Sequence, residues 1–387
     1  MLVVNVLEEG VYGGPQKRAV LVAEALMLAG SEQDHKGIQT KIVGPSSADR
    51  LLDECTHRSI EYLPLKLTPL SRKPQIIVKY LISFISEVYK LKSTINQQAP
   101  DIVHCSGGSW SIKACLAAKL AGVPFIWHMN DTSQPRIVLS LFGFLVRKLK
   151  PSGVLYSGTR AKLYYEHFFP TSIPWEISRP PIDQNIRNTS STDVERPTNL
   201  PNAACNIILV GNINPTKGTD LAVRAVVQLI NEGKDISLTL AGATKSTQKQ
   251  YFELVKKMAG PEFGSRIKYI GSVSDVVPYL LHSDIALCTS LSEAGPMSAW
   301  EAAATQCALV SADVGDVAEV LSDAGIFLFE TGQLDDLTDK LRMAIDEPQE
   351  REARSTIAYN KSAALLVHES ARSTSELYRR VHQRTNN

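Results

Sequence analysis

The strongest constraint on what this 387-residue chain can fold into is an alternation of short apolar runs with longer helix-patterned stretches along nearly its whole length. Short runs rich in Val, Ile and Leu, each followed by a helical period, read as parallel strands joined by βαβ crossovers. A first series comprises Val3–Leu7, Thr40–Val43, Ile60–Leu63, Ile102–Cys105, Phe125–Met129 and Val154–Ser157. A second begins afresh at Ile207–Val210 and continues through Leu238–Ala241, Ile267–Ile270, Ile285–Thr289, Leu309–Ala312 and Ile326–Phe329. Each series suffices to close its own sheet, and the length exceeds one ordinary core. The expected class is α/β, with two Rossmann-like, doubly wound parallel-sheet domains facing across a cleft. Ligands of such sheets sit at the carboxyl ends of the strands. The stretch from Ile186 to Asn206 is polar, rich in Ser, Thr, Asn and Pro, and without periodicity, so it reads as a linker. The expected division is therefore 1–185, a linker at 186–205 and a second domain at 206–369, with a helix at about 370–387 packing back on the first.

Hydrophobic residues make up 44% and charged residues 21% of the chain, the balance of a soluble globular protein. No apolar run approaches the roughly 20 residues of a spanning helix. The first residues, MLVVNVLEEGVYGG, lack the basic start and cleavage site of a signal peptide. Six cysteines, Cys55, Cys105, Cys115, Cys205, Cys288 and Cys307, show no metal-ligand spacing. A cytoplasmic protein with no metal is expected. Net charge is +1 but uneven: residues 1–185 carry 21 Lys/Arg against 15 Asp/Glu, and the remainder 20 against 25. A basic first half suits an anionic partner or an acidic membrane surface, or is simply a scatter of solvated lysines. With no concentrated basic stripe and no binding motif, a nucleic-acid role is not expected.

Three segments could carry chemistry. The first strand runs into Glu8-Glu9-Gly10-Val11-Tyr12-Gly13-Gly14-Pro15, ahead of a helix. Gly13 and Gly14 permit close approach by a ligand, and free N–H groups at the helix start favour a phosphate or a sugar oxygen. The loop is not GxGxxG, and no acidic residue closes a second strand, so a dinucleotide site is poorly supported. A purely structural glycine pair is the competing reading. In the second series, Val210-Gly211-Asn212-Ile213-Asn214-Pro215-Thr216-Lys217-Gly218 places a lysine after a strand, where it can counter a diphosphate or simply face solvent. The third segment is Ser292-Glu293-Ala294-Gly295-Pro296-Met297-Ser298-Ala299-Trp300-Glu301. Gly295-Pro296 sets a helix start, and the amides of Met297 and Ser298 then point outward where a diphosphate would be held. Glu301 lies four residues beyond Met297, about one turn along the same face, where a ribose attached to that diphosphate would reach. Glu293 precedes the helix and could meet a sugar, or merely complement the helix dipole.

Together and in this order, these segments resemble the retaining glycosyltransferases of family 4, which have the GT-B fold. The most specific shared motif is the pair of glutamates with seven residues between them, here Glu293 and Glu301. The resemblance implies that the first domain is the acceptor side and the second binds a nucleotide-diphosphate sugar, a co-substrate in place of any cofactor. It assigns Glu293 to the donor sugar, Glu301 to the ribose and the Gly13-Gly14 loop to the phosphates and sugar. It also assigns to the sugar a histidine near the end of a first-domain strand, matched by His128. One departure stands out: the family's usual Arg after the strand glycine is here Asn212, while Lys217 and Gly218 are kept. Lys245 or Arg18 could supply the missing cation. A second departure is Pro296 in place of the commoner aromatic residue.

The mechanism implied is metal-independent transfer of a hexose-type sugar with retention, in which the leaving diphosphate takes the acceptor's proton. Lys217 with the Met297 and Ser298 amides would hold the diphosphate, His128 and Glu293 the sugar, Gly295 the turn, and Ser272-Val273 the base. Ser106, Gly107 and Trp110 follow a first-domain strand and are the expected acceptor residues. The acceptor would be a glycan, a lipid-linked sugar or a small molecule, as in polysaccharide biosynthesis. Pro74–Lys92 and Ile137–Lys150 are apolar stretches edged with Lys and Arg. They are read either as core helices or as amphipathic helices resting at the inner face of a membrane. Competing functions are a catalytically silent nucleotide-sugar-binding or partner subunit, kept open by Asn212, and a nucleotide-sugar epimerase.

Overall fold

The computed structural model describes residues 1–29, 37–69 and 74–386. The elements run β1 (Leu2–Leu7), α1 (Gly14–Ala29), β2 (Gln39–Pro45), α2 (Asp49–His57), β3 (Tyr62–Leu65), α3 (Pro74–Gln98), β4 (Ile102–Ser106), α4 (Ile112–Ala121), β5 (Phe125–Met129), α5 (Arg136–Leu149), β6 (Gly153–Tyr156), α6 (Thr159–Tyr165) and β7 (Trp175–Ile177). There follow α7 (Gln184–Asn188), β8 (Cys205–Val210), α8 (Thr219–Asn231), β9 (Ile236–Ala241), α9 (Lys249–Ala259), β10 (Ile267–Gly271), α10 (Val277–Leu281), β11 (Ile285–Cys288), α11 (Met297–Ala304), β12 (Ala308–Ala312), α12 (Val317–Leu321) and β13 (Phe327–Phe329). The last helices are α13 (Leu334–Asp346), α14 (Pro348–Lys361) and α15 (Val367–Asn386). They form two units, Met1–Pro181 with Val367–Asn387, and Ile182–Leu366.

The first unit holds a parallel sheet in the order β3-β2-β1-β4-β5-β6-β7, the second one in the order β10-β9-β8-β11-β12-β13. Both are doubly wound: the chain moves outward from the first strand, then returns beside it and moves the other way. Right-handed crossovers then put helices on both faces. This is why the inner strands read as continuous apolar runs and not as alternations. In the first sheet β1 is buried from Val3 to Leu7, and its one polar member, Asn5, accepts a hydrogen bond from Ser106 Oγ on β4 (2.8 Å). Helix α4 stops where Gly122 takes a left-handed conformation, the usual exit from a helix.

Some expectations shift. Strand β3 begins at Tyr62, not Ile60, because Ile60 turns into the core while Tyr62 pairs with Ile42. The three-residue β7, missed in the sequence, borders β6 at the sheet edge. The Ile186–Asn206 stretch, expected as a linker, is tied to the second unit from its start. Ile186 is buried, Arg187 donates to Ser362 Oγ (2.6 Å) and to the Tyr359 carbonyl, and Leu200 is buried further on. No periodicity announces this, since each anchor is a single residue with a distant partner.

Beneath the first sheet lies a buried ionic cluster. Lys113 of α4, fully buried, bonds the Glu87 carboxylate of α3 at 2.5 Å and the Thr68 carbonyl at 2.7 Å, with its Nζ 3.9 Å from the centre of the Tyr80 ring. Burial alone would raise the Glu87 carboxyl, but Lys113 and the Thr68 N–H and hydroxyl outweigh it and hold it below the usual range. Glu8, just past β1, accepts from the Ala114 N–H (3.0 Å), and burial pushes its carboxyl up to about 7. A carboxyl raised on folding stabilises the fold below its unfolded value of 4.5 and loses that contribution as pH climbs through about 7. Glu8→Gln, which keeps the acceptor oxygen, should therefore gain about 1–3 kcal/mol at pH 8 and almost nothing at pH 4. Urea unfolding of both proteins at the two pH values checks this; an equal effect at both would refute the assignment.

Candidate functional site

In the second unit the carboxyl ends of β8, β9 and β10 are stitched together by backbone. The Gly211 N–H donates to the Ala241 carbonyl (2.8 Å), the Ile213 N–H to Ala243 (3.0 Å) and the Gly242 N–H to Gly271 (2.7 Å). A Cβ on Gly242 would run into the Gly211 carbonyl oxygen, so only glycine lets these loops meet. Asn212 sits half-buried in the first loop, its carbonyl accepting from Asn214 Nδ2 (3.1 Å). The Asn214 side chain in turn accepts from the Lys217 N–H (3.1 Å) and caps the short 3-10 turn Pro215–Lys217. Gly218 leaves that turn left-handed at φ 62° and starts α8; a Cβ there would strike the Thr289 carbonyl. Thr289 also donates its hydroxyl to the carbonyls of Lys217 and Gly218 (both 2.9 Å). This clamp between the β8 and β11 loops was not foreseen from the sequence.

The clamp aims Lys217. Its Nζ lies 2.5 Å from Glu293 Oε1, on the loop after β11. Burial alone would lower the Lys217 ammonium, but the Glu293 carboxylate outweighs it and holds it above the ordinary lysine range. Two residues expected to serve different parts of one ligand thus touch each other directly. The same loop passes Gly295 to Pro296, which caps α11 in an extended conformation. The first in-helix donors are Ala299 and Trp300, both to the Pro296 carbonyl (3.0 and 3.2 Å). The amides of Met297 and Ser298 precede them, at the positive end of the helix dipole. Glu301 lies one turn in and is 5% exposed, while its neighbour Trp300 is fully buried and anchors α11 in the core. Ser272 and Val273 follow β10 on the same edge of this sheet, with Ser272 exposed. Lys245, exposed three residues beyond Gly242, is likewise at this end.

In the first unit, Gly13 leads into α1 at Gly14, but the loop is less open than expected. The Gly13 N–H donates to Gln16 Oε1 (3.1 Å), while Gln16 Nε2 donates to the Glu9 carbonyl (3.0 Å). The free amide anticipated at Gly13 is therefore already used. Ser106 is buried on Asn5 and pairs in register with His128, and Gly107 and Gly108 both have positive φ. Trp110 is 37% exposed. A Cβ on Gly108 would collide with Asp131, a half-buried carboxylate held by Tyr165. Trp127 Nε1 donates to the Gly108 carbonyl (2.8 Å), fixing that turn against β5.

His128 bonds Ser157 Oγ through Nε2 (2.9 Å), and its ring centre is 5.2 Å from that of His104. His104 Nδ1 pairs with the Tyr378 hydroxyl of α15 at 2.5 Å. Burial, then Arg18 and His104, hold the His128 imidazole well below its ordinary value, so it is neutral, and at 2% exposure the ring is less open to a ligand than the sequence led one to expect. Arg18, one of the two cations expected to offset Asn212, does not play that part. It is 2% exposed, with Nη2 donating to Ser178 Oγ (2.7 Å) and Thr374 Oγ1 (3.2 Å), and it fastens α1 to α15 within the first unit. Lys245 remains as the available cation.

Residues 192–361 match the family described as glycosyl transferases group 1, and this stretch is a domain of that kind. A UDP-N-acetylglucosamine--N-acetylmuramyl-(pentapeptide) pyrophosphoryl-undecaprenol N-acetylglucosamine transferase of Crocosphaera subtropica is 26% identical over 157 residues, 41% of each chain. The phosphatidylinositol N-acetylglucosaminyltransferase GPI3 subunit of Saccharomyces cerevisiae is 25% identical over 179 residues, 45% of this chain and 38% of that one. The chain spans less than half the length of either relative. Anabaena Alr3699/HepE, solved in complex with UDP and glucose, superposes with a TM-score of 0.79 at 15% identity over 97% of this chain and 98% of its own. At that identity the likeness is one of fold, that of the GT-B glycosyltransferases.

Proposed function

We propose that this chain is a retaining, metal-independent glycosyltransferase that moves a hexose-type sugar from a UDP-sugar to a lipid-linked or glycan acceptor. The observation that carries the reading is the contact of Lys217 with Glu293 immediately before the start of α11, with Glu301 one turn inside that helix. A diphosphate at the helix start would be met by the Met297 and Ser298 amides and by Lys217, and a ribose by the Glu301 carboxylate. Ser272 and Val273 would border the base, and Asn212 and Gly295 would shape the loops. In the first unit, His128 and the Gly13-Gly14 loop are assigned to the sugar and phosphates, and Ser106, Gly107 and Trp110 to the acceptor. Uridine is favoured because HepE was solved with UDP, and a lipid-linked acceptor because the names of both relatives carry a lipid.

Catalysis in this reading is electrostatic. The Lys217 ammonium, held by Glu293, would also meet the leaving diphosphate, so charge building on the phosphate is balanced by a cation already in place. The diphosphate then takes the acceptor's proton as the new bond forms on the same face. With Asn212 in place of an arginine, one cation fewer serves this step. That same residue favours a second reading, a nucleotide-sugar-binding subunit without turnover.

Calorimetry with UDP-glucose and UDP-N-acetylglucosamine tests the site, and release of UDP tests turnover. Glu301→Ala should weaken donor binding by about 10–100-fold, the loss of a charged acceptor for two hydroxyls. Unchanged affinity would remove the ribose assignment; tight binding with no UDP released would select the second reading.

A further inference from the structure

Helix α3 spans Pro74–Gln98 and leaves a long apolar stripe uncovered. Ile77, Val78, Leu81, Ile82, Ile85 and Tyr89 are all exposed, Ile82 by 78%. They fall within about 140° of the helix circumference. The packed side adjoins one edge of the stripe: Tyr80, Glu87, Val88, Leu91 and Ile95 are buried. Glu87 is the only Asp or Glu between Tyr62 and Gln98, and it is turned inward onto Lys113 and Thr68. Helix α3 therefore shows no acid to solvent: the stripe is apolar, Lys79 and Lys90 are exposed beyond its edge, and the other exposed residues are neutral.

Helix α5 repeats the pattern. Ile137 (80% exposed), Leu141 and Phe144 stand out on one face, and Arg136, Arg147, Lys148 and Lys150 are exposed around them. Between Thr132 and Tyr165 the sequence holds no Asp or Glu at all. Helix α4 packs against both α3 and α5, so all three belong to one helical layer of the first unit. An exposed apolar stripe on two helices of one layer, free of exposed acids and edged with lysine and arginine, marks an interaction surface. Its chemistry selects the partner. A second copy of this face would set cation against cation with no carboxylate to relieve it. An acidic bilayer supplies apolar depth for the stripe and anionic headgroups for the lysines.

We propose that the α3–α5 face of the first unit docks on an anionic lipid bilayer, with Leu81, Ile82, Ile137 and Phe144 entering the interface and the flanking Lys and Arg contacting headgroups. Docking of this kind is peripheral: no described helix is long and apolar enough to cross a membrane. The face shares no residue with the proposed donor site, so its test reads binding to lipid and is decided separately from sugar transfer.

The experiment is co-sedimentation of the full chain with vesicles of phosphatidylcholine alone or mixed with phosphatidylglycerol, at low and high salt. The chain should bind the phosphatidylglycerol vesicles at least about tenfold more tightly than the neutral ones, with the difference shrinking at high salt. Leu81→Asp/Ile82→Asp should weaken binding by roughly tenfold or more while leaving Tm unchanged, since both residues already face water. Should that variant fold poorly, Lys79→Glu/Lys90→Glu leaves the apolar stripe intact and should weaken binding by about fivefold for each lysine lost. No binding to anionic vesicles, or equal binding to both kinds, overturns the proposal. So does a dimer of the wild type in light scattering that Ile82→Asp dissolves, because the face would then meet a second copy.

Discussion

Lys217→Met should lower turnover about 10²–10³-fold while changing donor affinity much less, because its charge is needed most as the diphosphate leaves. The Thr289 hydroxyl on the Lys217 and Gly218 carbonyls fixes the root of this side chain, and Glu293 fixes its tip. Neither anchor has to form during the reaction, which is what makes the cation effective. Glu293→Gln should also lose turnover more than binding, since the amide would no longer hold Lys217 by charge. The double variant should be only slightly worse than Lys217→Met, as two residues acting through one contact do not add. Initial rates of UDP release with saturating donor, set beside calorimetric affinities, decide it. A Lys217→Met protein that turns over within about threefold of wild type would remove the lysine from the chemistry.

The second large effect is on stability. Lys113→Met should cost about 3–5 kcal/mol, because it strands the Glu87 carboxylate in a buried site. Thr68 would still donate to Glu87 from its N–H and hydroxyl (3.0 and 2.7 Å), but no cation would remain against it. Lys113→Met/Glu87→Met should recover most of the loss, as apolar residues of similar volume often replace a buried pair at little cost. Urea unfolding of the three proteins at pH 7 gives the numbers. If the double variant is no better than the single one, the cluster is held by packing and not by charge. The pair also has its own pH signature, opposite to that of Glu8: a carboxyl held low contributes above its unfolded value and loses that contribution as the solution turns acid.

Much of this arrangement could be read directly. The apolar runs locate the inner strands of both sheets, because a strand covered on both faces has few ways to be written. Gly295-Pro296 marks the start of α11, and the Glu293–Glu301 spacing follows from one helical turn. The Thr289 clamp is not legible in the sequence because a threonine at a strand end looks alike whether or not a distant carbonyl waits for its hydroxyl. Arg18 misled for the same reason. On α1 it reads as a helix-surface cation, and only the return of α15, with Thr374 at hand, encloses it. The stripe of α3 has the period of a core helix, and nothing in that period says which side meets the sheet. Glu87 does say so once Lys113 is seen beneath it.

The passage of α15 back to the first unit bears on the order in which a newly made chain can become finished. Ile182–Leu366 is continuous, so every contact of the second unit exists once Leu366 has been added. The first unit, although its strands precede those of the second, lacks Thr374 for Arg18 and Tyr378 for His104 until α15 emerges. Until then the place of α15 against α1, β6 and β7 stays open, while the second unit can already make all its contacts. Of the two units, the one whose strands are made earlier is thus the later to close, and burial of Arg18 and His104 reports that α15 has been added.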